Sequence, residues 1–139
     1  SDAVHCHHNY AALEEHYGKQ VWVHRKGAIR AGTGEMGIIP GAMGTYSYLV
    51  KGKGNPESFQ SCSHGAGRRM SRLDAREQFS VQDTILDLRA LGVFLAKAKR
   101  TYVGTESRFA YKAIDFVLSQ ELDLVEPVRR LKTVAVVKG

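Results

Sequence analysis

The rhythm of hydrophobic positions changes half-way along the chain. Val21-Trp22-Val23-His24 and the run from Thr45 to Val50 are short β-branched and aromatic stretches, and each predicts a strand. Between them, Gly27 to Gly44 holds six glycines and Pro40, so unusual backbone or close approach is expected there instead of a regular element. Eleven of the fourteen glycines lie between Gly18 and Gly67, which predicts a first half of loops joining short strands. After Gly67 the text turns to Arg, Leu, Ala and Val at helical spacing, and the second half is expected to be mostly helical. Ser80 followed by Asp83 resembles a capping box, and Val81, Ile85 and Leu88 fall one turn apart, so a helix is predicted from Val81 to Leu91 with Gly92 as its stop. A further helix is expected over Ser107 to Ser119, with Phe109, Ala113, Phe116 and Val117 on one face, and a closing strand over Thr133 to Val137. The prediction is an α+β fold, short strands and Gly-rich loops followed by helices.

Composition narrows the classes. With 139 residues, 43% hydrophobic and 24% charged, the chain is the size of one domain, residues 1–139, and is neither disordered nor fibrous. Two cysteines, Cys6 and Cys62, are too few for a disulfide scaffold, and no apolar run has transmembrane length. A reducing cytoplasmic setting without membrane attachment is therefore expected. Twenty basic against fourteen acidic residues leave a formal charge of +6, which favours a polyanionic partner.

Four stretches carry candidate chemistry. His5-Cys6-His7-His8-Asn9 gathers metal donors, but in an extended segment only His5 with His7, or Cys6 with His8, can share a face. One ligand from this stretch, or a plain surface histidine cluster, are the two readings it leaves. Ser61-Cys62-Ser63-His64-Gly65-Ala66-Gly67-Arg68 reads as a strand entering a tight turn that opens a helix, a geometry suited to anions. His64, Arg68, Arg72 and Arg76 are spaced by four and would follow one helical face, as a phosphate track or as a solvated basic face. An imidazole is largely neutral at pH 7 and can attack phosphorus without a separate base, which singles out His64. Val23 to Arg30 is a basic turn that reads as a solvated hairpin, and Ile39 to Tyr48 is a small-residue loop in which Ser47 can donate to a phosphate or sugar. Neither GxxxxGK[ST] nor GxGxxG occurs in a strand-to-helix setting. Cys62 is expected to be a buried structural thiol, and Trp22, Tyr10, Tyr46, Tyr48 and Tyr102 packing residues rather than a base-stacking platform.

Taken in order, HHNYAALEEHYG, VWVHRKGAIRA, IIPGAMGTYSYLV, SFQSCSHGAGRRMSR and the closing VVKG resemble the RNA-splicing ligase family RtcB over essentially the whole chain. The resemblance implies the C-terminal portion of that ligase fold. It implies joining of RNA ends bearing a 3′-phosphate or 2′,3′-cyclic phosphate to 5′-hydroxyl ends, with GTP and Mn²⁺, through a histidine–GMP intermediate, as in tRNA splicing and RNA repair. By position, His64 matches the histidine that is guanylylated and His8 a metal ligand, while Asn9 resembles a guanylate contact. Pro40, Gly41, Ala42, Met43 and Ser47 match the guanylate-cradling loop, and Gly65, Ala66 and Gly67 the turn after the nucleophile. Lys138 matches the penultimate lysine that reads the nucleotide, Tyr111 a residue packing near guanine, and Lys26, Arg68 and Arg72 positions that bind RNA phosphates.

Two departures qualify the resemblance. Position 42 is alanine where the family usually has serine, removing one hydroxyl. Family members are much longer, and their other metal ligands, an aspartate–cysteine pair and two histidines, lie in an N-terminal part without a counterpart here. The expectation is therefore a piece of a larger or split enzyme that is inactive alone. Its rivals are a non-catalytic RNA- or guanine-nucleotide-binding module and an inert fragment.

Overall fold

A computed structural model describes residues 3–97 and 102–138. In chain order the elements are β1 (Asn9–His16), β2 (Lys19–Lys26), β3 (Ala28–Arg30), β4 (Met36–Pro40), β5 (Ser47–Gly52), β6 (Ser61–Ser63), α1 (Arg72–Gln78), α2 (Val81–Ala90), β7 (Phe94–Lys97), α3 (Ile114–Ser119), β8 (Val125–Leu131) and β9 (Ala135–Lys138). Two short 3₁₀ turns, Val103–Glu106 and Arg108–Ala110, precede α3. The fold is α+β, as the pattern predicts.

The strands fall into small antiparallel sheets with one parallel pair. β1 and β2, eight residues each, form a hairpin in which Leu13 stands opposite Trp22 and Asn9 opposite Lys26. Its turn is Tyr17-Gly18, both with positive φ (52° and 72°), the conformation that lets a two-residue loop match the twist of its strands. β3 pairs with β6, and β4, β5 and β8 make a three-stranded sheet in that order. β7 and β9 pair in parallel.

Two apolar clusters hold these pieces. One joins Ile29, Ala31, Ile39, Val50, Cys62, Ala66, Ile114, Leu118 and Val125, so α3 covers the three-stranded sheet and the β3/β6 pair. The other joins Met43, Leu88, Val93 and Val103, with Val81, Ile85 and Val136 against it, which seats α2 on the β7/β9 pair. Under the hairpin, Arg25 is 2% exposed and donates to both carboxylate oxygens of Glu14, to Ser61 Oγ, to Tyr10 Oη and to the Phe59 carbonyl. This buried pair fastens the hairpin to the loop before β6.

Several expectations are corrected here. The run Ser107 to Ser119 is not one helix: Tyr111 is extended and bridges antiparallel to Arg68, and α3 begins only at Ile114. The buried side chains are Ala110, Ile114 and Leu118, while Phe109 and Phe116 are exposed, so the apolar face assigned from spacing is displaced. No helix opens at Gly65. α1 starts at Arg72, and Ser71 and Asp74 already occupy its first N–H groups in a reciprocal capping box. His64 and Arg68 therefore lie outside any helix, and only Arg72 and Arg76 share a face, that of α1. The second half also contains β7 and β8, so it is not mostly helical. Trp22 and Tyr102 are 66% and 56% exposed and are not packing residues. The helix Val81–Ala90, capped by the Ser80 hydroxyl, and the strand Ser47–Gly52 lie where the pattern places them.

Candidate active site

His64 follows β6 directly, and three chain segments meet around it. Its N–H donates to the Gly27 carbonyl at 3.3 Å, and the Gly27 N–H donates to the His8 carbonyl at 3.2 Å. Those bonds bring the His8 and His64 rings together, centroids 5.1 Å apart and tilted by 35°. The His64 imidazole is partly buried, and that burial, followed by the nearby His8, lowers its pKa from the ordinary 6.5. The ring is thus neutral at pH 7, as a nitrogen nucleophile requires.

The turn after His64 lies against the end of β4. Ala66 N–H donates to the Pro40 carbonyl at 3.2 Å, and a Cβ at Gly65 would come within 3.1 Å of that oxygen, so the glycine allows the approach. Just beyond Pro40 the chain opens a cleft of about 270 Å³ lined by Gly41, Ala42, Met43, Ser47 and Tyr111, together with Glu106 and Thr133. This volume lies near the lower end for small-molecule sites, about 300 Å³, and suits a nucleoside more than an extended chain. Gly41 turns so tightly that a side chain there would strike Thr45 and the Tyr46 carbonyl. Met43 is also buried in the second apolar cluster, so the cleft wall is anchored from behind.

Glu106, which the sequence reading passes over, organises the far wall. It accepts from Tyr111 Oη at 2.6 Å and from Arg68 at 2.5 Å, and Arg72 lies 4.0 Å away. Arg68 also donates to the Thr105 carbonyl at 2.7 Å and sits over the Tyr111 ring at 4.6 Å. Burial, then the bond to Glu106, pushes the Tyr111 phenol up to about 12, so it stays a donor. A signal was available: Glu106 is the sole acidic residue between Asp87 and Asp115.

The remaining predicted residues are distributed as follows. Asn9 and Lys26 face each other, exposed, at the open end of the hairpin next to His8 and Gly27, and do not line the cleft. Arg72 is exposed at the start of α1. Lys138 closes β9, but its side chain lies outside the described residues. Cys62 is buried, and burial pushes its thiol up to about 12, which fits a structural thiol. Cys6 turns onto the first apolar cluster and accepts from Ile38 N–H at 3.3 Å, away from His8.

Among the described residues no three His, Cys, Asp or Glu side chains converge on a point that could hold a metal ion. His8 beside His64 is a pair, and a divalent transition metal needs more donors than that. These residues alone do not fit a complete Mn²⁺ site. The glycine-lined cleft does fit a nucleoside.

The whole chain, residues 1–139, matches the family described as tRNA-splicing ligase RtcB. The chain belongs to the RtcB family. It is similar to the RNA-splicing ligase RtcB of Escherichia coli K12, 49% identical over 138 residues that cover 99% of this chain and 33% of that protein. The tRNA-splicing ligases RtcB of Nanoarchaeum equitans and Thermococcus kodakarensis are 40% and 37% identical, each over 95% of this chain and 32% of their own length. The RtcB chain described here therefore spans about a third of the curated relatives it matches. No helix among its described residues is long and apolar enough to cross a membrane.

Proposed function

We propose that this RtcB-family chain carries the nucleophile and the guanylate cleft of a GTP- and Mn²⁺-dependent RNA ligase, which seals 3′-phosphate or 2′,3′-cyclic phosphate ends to 5′-hydroxyl ends. The observation that carries the reading is the convergence of His64, His8 and the Pro40–Met43 loop through the bonds at Gly27 and Ala66. The neutral His64 ring attacks the α-phosphorus of GTP, pyrophosphate leaves, and GMP remains on the ring nitrogen. The cleft holds the nucleoside, with Gly41 admitting it to the backbone, Ser47 and Glu106 offering polar contacts and Tyr111 packing alongside. The Gly65-Ala66-Gly67 turn leaves room for the phosphate, and Asn9 and Lys138 complete the guanylate contacts. Lys26 and Arg72 are the cations offered to RNA phosphates, and Arg68 enters through its hold on Glu106 and Tyr111.

His8 is one metal ligand in this reading, and the other donors come from the part of the family's length that this chain does not span. The chain alone is accordingly inactive. Incubation with α-labelled GTP and Mn²⁺ tests this, with the chain alone and with the remaining two-thirds of the Escherichia coli relative added in trans. An acid-labile adduct that forms in the mixture and is lost in His64→Gln is expected. No adduct in the mixture, or one that survives His64→Gln, would overturn the reading.

A further inference from the structure

We propose that the outer face of the β1/β2 hairpin binds the single-stranded flank of the RNA substrate, with Trp22 as the platform on which one base stacks. This rests on the RNA-ligase reading above and assigns a second contact surface to it.

The strand alternation puts Asn9, Ala11, Leu13 and Glu15 on one face, with Lys26, His24, Trp22 and Gln20 opposite them, and all eight are exposed. On this face Trp22 is 66% and Leu13 54% exposed, directly across from each other. The face is continuous with the candidate site: its Asn9/Lys26 end runs into His8 and Gly27, and Gly27 bonds to His64. A strand that brings its end phosphate to His64 past Lys26 meets His24 next and the indole after that. The distance from Lys26 to Trp22 along β2 is about 13 Å, the span of about four stacked nucleotides. Glu15 at the far end repels phosphates and marks where the track stops.

By itself the face falls short of a stable protein interface. Eight residues of a two-stranded ribbon cover roughly 260 Å², against about 800 Å² per side for a stable protein interface. An open aromatic ring flanked by His24 and Gln20, with Lys26 further along the same face, is the kind of surface that takes an unstacked base.

Trp22 is the chain's one tryptophan, so its emission reports this face alone. The experiment titrates a single-stranded RNA decamer ending in a 3′-phosphate into the full 139-residue chain at low salt. Trp22 emission is followed together with the anisotropy of an end-labelled copy. Emission should be quenched with the same midpoint as the anisotropy rise, and a dinucleotide with the same end should leave it unchanged. Trp22→Ala should weaken binding by about 5- to 150-fold, while Trp22→Tyr keeps most of it. Circular dichroism of both variants should match the parent. An anisotropy rise without quenching, or equal affinity in Trp22→Ala, would overturn the stacking proposal and leave the ligase reading standing. Absence of any RNA binding would remove the hairpin proposal, while the adduct test above decides the ligase reading separately. Emission that changes with protein concentration in step with a dimer in sedimentation would assign the face to a second copy instead.

Discussion

The state of the His64 ring is set by its backbone bond and by its burial. Its backbone is pinned to Gly27, which fixes the ring beside His8, and partial burial removes water that would stabilise the protonated form. Burial is the larger cause and the His8 charge the smaller. An NMR titration should therefore give a His64 midpoint below 6.5, and His8→Gln should raise it only slightly, leaving it still depressed. In the folded chain the ring stays neutral to lower pH than it does unfolded. Between the two midpoints the unfolded chain binds the extra proton, so this residue's contribution makes stability fall as pH drops below about 6.5. A midpoint at or above 6.5 would contradict the burial. At this scale the sequence brings forward what is contiguous: His64 stands out in Ser61 to Arg68 because its small and basic neighbours are adjacent in the chain, although no helix opens there. Glu106 was legible only as an isolated acidic residue, since its importance comes from Arg68, 38 residues away, and from the extended residue Tyr111 that spacing does not announce.

Elements that the pattern captured are those whose stability is local, and those it lost depend on distant partners. The helix Val81–Ala90 has its own cap in Ser80 and its own stop at Gly92, so its boundaries are written in the adjacent residues. The stretch Ser107 to Ser119 has comparable helical spacing, but Arg69 N–H donates to the Ala110 carbonyl and Lys112 N–H to the Gly67 carbonyl, and these bonds to a distant segment hold Tyr111 extended between them. Strand β1, rich in Ala and Glu, is weak by propensity and is held by its register with β2 and by the buried Glu14–Arg25 pair. That pair gives an element-scale prediction. The bond from Arg25, aided by His16, holds the Glu14 carboxyl down at about 2 against an ordinary 4.5. Above pH 4.5 both folded and unfolded chains have it ionised and its contribution is complete. As pH falls from 4.5 towards 2 the unfolded chain takes the proton first, and up to about 3 kcal/mol is lost. Arg25→Ala leaves a buried carboxylate without its guanidinium and should cost about 3–5 kcal/mol in a urea melt. A double replacement, Glu14→Leu with Arg25→Met, should cost less than that single change, because it strands no charge.

Across the whole molecule, the count of twenty basic residues overstates the cations that a polyanion meets. Arg25, Arg68 and Arg108 are each committed to an internal carboxylate, those of Glu14, Glu106 and Asp87. Lys26 and Arg72 instead present exposed cations at the hairpin end and at the start of α1, Arg72 having Glu106 only at 4.0 Å. The family's whole-length match could locate the basic positions in the sequence, but it could not sort them into those turned inward and those turned outward; packing does that. The sorting has a measurable consequence through counterion release. For single-stranded RNA the slope of log affinity against log salt should flatten by about 0.7 in Lys26→Gln and again in Arg72→Gln, each having given up one phosphate. Arg68→Gln should leave that slope unchanged. It should instead lower the melting temperature, because it takes the guanidinium away from Glu106 and from the Tyr111 ring, and loosen the cleft those two residues wall. A flattened slope in Arg68→Gln, with the melt unaffected, would mean that this guanidinium leaves Glu106 for the RNA, and the division between inward and outward arginines would have to be redrawn.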